Sequence, residues 1–69
     1  MISYQPLWET LKQKGLSTYW LLHNSEIDRK TLHNLKHNKN TTLLTIEKLC
    51  VALNCEITDI VEFVQKSDI

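Results

Sequence analysis

A single glycine, Gly15, and a single proline, Pro6, serve a chain of 69 residues. Sheets joined by hairpins need turn residues that accept positive φ, and no Asn-Gly or Asp-Gly pair is present, so the sequence predicts an all-α fold. Periodicity agrees. Apolar residues recur at i, i+3, i+4 and i+7 in three segments: Tyr4, Leu7, Trp8, Leu11; Ile46, Leu49, Cys50, Leu53; and Ile57, Ile60, Val61, Val64. Each set forms one apolar stripe along a helix.

Terminus signals divide the chain into five short helices. Pro6 suits the first turn of a helix over 4–14, and Gly15 suits its stop. Ser17 caps a second helix over 18–24, where the apolar run at 20–22 implies burial on more than one side. Asp28 caps a third over 29–37, with Ile27 before the cap and Leu32 at the fourth position forming a hydrophobic staple. Asn38 stands where a left-handed residue would close that helix. Thr42 caps a fourth helix over 43–53, and Asn54 takes its left-handed stop. A fifth, over 57–65, begins among Glu56, Thr58 and Asp59, whose charge suits a helix N-terminus. Neither repeat nor linker interrupts the chain, which reads as one domain over 1–69 with residues 65–69 as the candidates for fraying.

A core this small leaves little room for a catalytic cleft or a cofactor-binding sheet, which makes a binding module the better expectation. With 42% hydrophobic residues and zero net charge the chain should fold. Its apolar runs are far too short for a signal peptide or a membrane span, which points to a cytoplasmic protein with no membrane partner. Cys50 and Cys55 are read as small packing residues in a reducing compartment rather than as a disulfide.

The third helix is not explained by packing. It offers Leu32 and Leu35 to the core, while Lys30, His33, Asn34 and His37 share the opposite face, with Arg29 and Lys36 on a flank. This stripe is rich in donors and free of carboxylates. Residues 29–46 hold Arg29, Lys30, Lys36 and Lys39 and no acid, a charge of +4; residues 56–69 hold Glu56, Asp59, Glu62 and Asp68 against Lys66, a charge of −3. A polyanion is therefore expected at the third helix and the loop after it. A short helix, a tight turn and a second helix with a polar outer face is the helix-turn-helix layout, whose second helix enters the major groove.

At this point the chain resembles the Cro and phage-repressor-like (XRE-type) helix-turn-helix domains, especially their short single-domain members. The resemblance is carried by Leu7, Trp8, Leu11, Lys12, Lys14, Gly15, Leu16, Ser17 and Thr18; by Leu32, Leu35, Lys36 and Lys39; by Ile46, Glu47, Lys48, Leu49, Cys50, Leu53, Asn54 and Cys55; and by residues 59–63. It implies a compact five-helix bundle similar to the lambda-repressor DNA-binding domain, with the helix-turn-helix at about 18–37, acting as a bacterial or phage transcriptional regulator, for instance a repressor. By position it makes the third helix the recognition helix, with Arg29, Lys30 and Asn34 at base edges and His33 and His37 alongside. It places Thr18 and the loop of Lys39, Asn40, Thr41 and Thr42 at phosphates, and Lys36 flanks them. Two positions depart from the family pattern: Leu22 stands where a small residue is usual, and Glu26 where glycine is usual. Asn24 or Ser25 is then the candidate for the left-handed turn position. Glu26 and Asp28 also lower the local charge over 26–39 to +2, so phosphate contacts alone should give modest affinity.

The chemistry of those side chains suits a duplex. Arg29 or Lys30 can donate to guanine O6 and N7, and Asn34 can pair with adenine N6 and N7. His33 and His37 at i, i+4 also have metal-ligand spacing, but Cys50 belongs to an apolar stripe and the order of ligands matches no zinc pattern, so no metal is expected. Nor is a cofactor, a small-molecule ligand or enzyme activity, since paired carboxylates, a Gly-rich phosphate loop and a Cys-His or Ser-His pairing are all missing. Trp8 and Trp20 occupy apolar positions and read as packing residues. One recognition helix reaches few base pairs, so a homodimer on a two-fold symmetric operator is expected, with Phe63, Val64 and Ile69 as candidate dimer surface. The alternative for Phe63 is that it covers the core. The alternative for the whole chain is a protein-protein adaptor of the same fold without direct DNA readout.

Overall fold

A computed structural model describes residues 1–65. Among these, the chain runs β1 (Ile2–Ser3), α1 (Gln5–Gln13), α2 (Thr18–Asn24), α3 (Arg29–Lys36), α4 (Leu43–Leu53), a 3-10 turn at Ile57–Asp59 and β2 (Glu62–Phe63). The fold is mostly helical, with four α-helices and one small antiparallel ribbon in which Ile2 pairs with Phe63 and Ser3 with Glu62.

Local chemistry sets the helix boundaries. Ser17, Asp28 and Thr42 each adopt extended backbone and accept a hydrogen bond from the N–H three residues on, at Trp20, Thr31 and Thr45. Each satisfies an otherwise orphaned donor. The ends of α1, α3 and α4 share one device. After α1, Gly15 is left-handed, Leu16 N–H donates to Leu11 O and Gly15 N–H to Lys12 O. Asn38 and Asn54 repeat the pattern after α3 and α4, with φ of 55° and 51°. These are Schellman caps, and Asn serves where Gly is absent.

The core gathers one stripe from every helix. Tyr4, Leu7 and Leu11 meet Leu21 from α2, Ile27 from the turn, Leu32 and Leu35 from α3, Ile46, Leu49 and Leu53 from α4, and Ile60. Trp8 and Trp20 pack at its margin, as expected of them. Helix α2 is less internal than its apolar run implied, because Leu21 alone is buried and Tyr19 is 70% exposed.

Two further expectations fail. The helix expected over 57–65 is a single 3-10 turn followed by extended chain, so the bundle has four α-helices among the described residues and not five. Ile60 still reaches the core, but beyond it the backbone pairs with β1, and Val64 N–H donates to Met1 O at 2.7 Å. Pairing within the chain at a separation of about sixty residues overrides the local apolar period. The second concerns the turn between α2 and α3. Glu26, rather than Asn24 or Ser25, is left-handed, with φ of 57°. Both alternatives have other work: the buried Ser25 hydroxyl donates to Leu21 O at 2.6 Å, and Asn24 Nδ2 donates to Trp20 O at 2.8 Å. A side chain at this φ costs about 1–2 kcal/mol, against less for glycine's extra freedom when unfolded. Glu26→Gly is therefore expected to stabilise the domain by about 0.5–1 kcal/mol in urea denaturation; an unchanged or lower midpoint would show that the turn is unstrained.

Candidate nucleic-acid interface

Helix α3 is aimed by what lies on either side of it. Ile27 and Leu32 are buried together across the Asp28 cap, as a hydrophobic staple requires, and Leu35 is fully buried one turn later. With that face fixed inward, Arg29, Lys30, His33 and His37 are exposed and Asn34 is half-buried. The His33 and His37 rings lie 4.2 Å apart between centroids and are tilted by 44°. The five side chains assigned to base edges thus share the outward side of one helix that is held by two leucines.

The residues assigned to phosphates cluster less tightly. Lys36, Lys39, Asn40 and Thr42 are exposed and Thr41 is half-buried, at the end of α3 and in the loop to α4. The Thr42 oxygen already accepts from Thr45 N–H at 3.1 Å, which leaves its hydroxyl hydrogen to share with Thr45 or offer outward. Thr18 is half-buried at the first position of α2, remote in sequence from that loop. Phe63 is 84% exposed on β2 and Val64 is exposed beside it, so Phe63 does not cover the core. Ile69 lies outside the described residues.

Asp28 shows how the cap is electrostatically set. Its carboxylate Oδ1 accepts from Thr31 N–H at 2.7 Å, and hydrogen bonds from the Thr31 side chain and backbone hold its pKa below the ordinary 3.8. A carboxylate depressed on folding adds stability above its unfolded value and loses it as pH falls through the lower folded one. Acid titration below about pH 4 is accordingly expected to loosen the start of α3, read as a falling melting temperature. Asp28→Asn, which keeps an acceptor without a charge, should flatten that part of the profile; an equal acid response in both proteins would remove Asp28 as its source.

Sequence reasoning missed the support behind this surface. Tyr4, only 2% exposed, donates its hydroxyl to Lys39 O at 2.7 Å, and its backbone N–H donates to Asn38 Oδ1 at 3.0 Å. Burial raises the Tyr4 pKa, so the phenol remains a donor. The first turn of the chain thereby clamps the exit of α3 and the loop behind it. The His23 ring lies 4.2 Å from that of Tyr19 between centroids, tilted by 42°, and borders the same cleft as Asp28 and Arg29. Periodicity placed Tyr4 on the α1 stripe, but nothing local marks a bond to a residue 35 positions away. Cys50 and Cys55 are free and half-buried, and among the described residues no group of three or more His, Cys, Asp or Glu side chains converges to hold a metal.

A capped helix, a four-residue turn and a second helix with its polar face outward define a helix-turn-helix domain. The Cro/C1-type HTH DNA-binding domain matches residues 6–66, and the chain belongs to that family. It is similar to the transcriptional regulator VanUg, whose crystal structure (form II) superposes with a TM-score of 0.88 at 28% identity over 94% of this chain and 87% of that one. No curated protein matches the sequence. The family is one of DNA-binding domains, and no helix among the described residues is long and apolar enough to cross a membrane.

Proposed function

We propose that the chain is a sequence-specific, double-stranded DNA-binding transcriptional regulator of bacterial or phage type, a cytoplasmic repressor with 1–69 as its DNA-binding domain, whose recognition helix is α3. The observation that carries this reading is the outward face of α3, where cationic and amide donors stand together without a carboxylate. Arg29, Lys30, His33, Asn34 and His37 read base edges in the major groove. Thr18, Lys36, Lys39, Asn40, Thr41 and Thr42 hold phosphates and set register rather than preference. Two copies bind a two-fold symmetric operator, with the exposed Phe63 and Val64, and Ile69 beyond them, at the contact between copies.

Titration of a mixed-sequence duplex at several salt concentrations tests the reading. Each phosphate neutralised contributes roughly −0.9 to the slope of log affinity on log salt. With Lys36 and Lys39 in place and the helix N-termini adding partial charge, a slope of about −2 to −4 is expected. Selection from a random duplex pool should then return a symmetric consensus. A slope near zero, or no binding even in dilute buffer, would leave the adaptor reading in its place.

A further inference from the structure

We propose that Cys50 and Cys55 form a reversible intramolecular disulfide, made by exchange with a small-molecule disulfide of the glutathione type, which staples the C-terminal cap of α4. The geometry comes from the cap. Cys55 N–H donates to Cys50 O at 3.0 Å and Asn54 N–H to Val51 O at 3.3 Å, around the left-handed Asn54. In this motif the residues at the two ends of the loop bring their side chains into contact, usually an apolar pair. The equivalent pair after α1 is Leu11 with Leu16, both packed on the core. After α4 the same two positions carry free thiols.

Both thiols are half-buried rather than sealed. Cys55 also opens onto a polar cleft with Gln13, Lys14, Glu56 and Asp59, through which a small reagent can approach. In the exchange, one cysteine thiolate attacks the reagent's S–S bond. A mixed disulfide forms and one reagent thiol leaves. The second cysteine thiolate then attacks the protein sulfur of that mixed disulfide and expels the other half. Two protein thiols are oxidised, one disulfide is reduced to two thiols, and the protons pass to the released thiols. Burial raises both cysteine pKa values, that of Cys55 to about 11, so the reaction is slow at neutral pH and quickens as pH rises.

The test uses the full chain equilibrated in mixtures of oxidised and reduced glutathione, with intact mass, thiol titration and thermal unfolding as readouts. Expected are simultaneous loss of both thiols without an adduct, a monomer-sized band on a non-reducing gel, and a melting temperature higher by roughly 8–16 °C than in reductant. Cys50→Ser and Cys55→Ser should each stop at the mixed disulfide and show no such rise. Free thiols persisting in fully oxidising buffer, stable double adducts, cross-linked chains, or an unraised melting temperature in the linked protein would each overturn the proposal.

Discussion

Leu35→Ala is expected to remove about 2–5 kcal/mol of stability, the range for truncating a fully buried leucine whose site cannot collapse. A domain of this length holds only about 3–10 kcal/mol in total, so much or all of the folded population would go. The effect is large because α3 has just two inward anchors, Leu32 and Leu35, and Leu35 is wholly sequestered. Each kcal/mol lost lowers the melting temperature by roughly 4–8 °C in so small a domain. Circular dichroism melts check this directly. A variant melting within a few degrees of the parent would mean that α3 is held by something other than its leucine face.

The second large effect separates readers from holders. On a selected site, Lys30→Ala and Asn34→Ala should each weaken binding by about 1–3 kcal/mol, or roughly 5- to 150-fold, and should do much less to random duplex. Lys39→Ala should weaken both duplexes alike and make the salt slope shallower by about one unit. None of the three removes a described support: the carbonyls of Asn34 and Lys39 that accept hydrogen bonds belong to the backbone and survive truncation. Equal losses on both duplexes from all three variants would reject the division of roles proposed for α3, and unchanged binding would reject α3 itself.

What could be read from the residues was whatever a few neighbours decide. Ser17, Asp28 and Thr42 cap their helices because an oxygen on a short side chain reaches an N–H three residues away, and that reach is written in the order of residues. Asn38 and Asn54 were legible as left-handed stops for a similar reason. The outward face of α3 followed from two leucines and a helical period. Misread elements depend on partners far along the chain or on competition between neighbours. The apolar period from Ile57 to Val64 is real, yet the pairing of β2 with β1 draws the backbone out of a helix. Glu26 is left-handed because Asn24 and Ser25 are already bonded back to α2, a contest that propensity alone ranks the wrong way. Tyr4 illustrates the same blindness at the candidate interface, since both of its bonds run to residues just past α3.

That tyrosine has a consequence for how the domain tolerates change. The segment after α3 carries no apolar anchor between Leu35 and Ile46, so its shape is borrowed from a ring near the start of the polypeptide. Damage to Tyr4 would therefore cost core packing and also blur docking on a duplex, and a genetic screen for lost regulation would collect lesions at the amino end that touch no nucleotide.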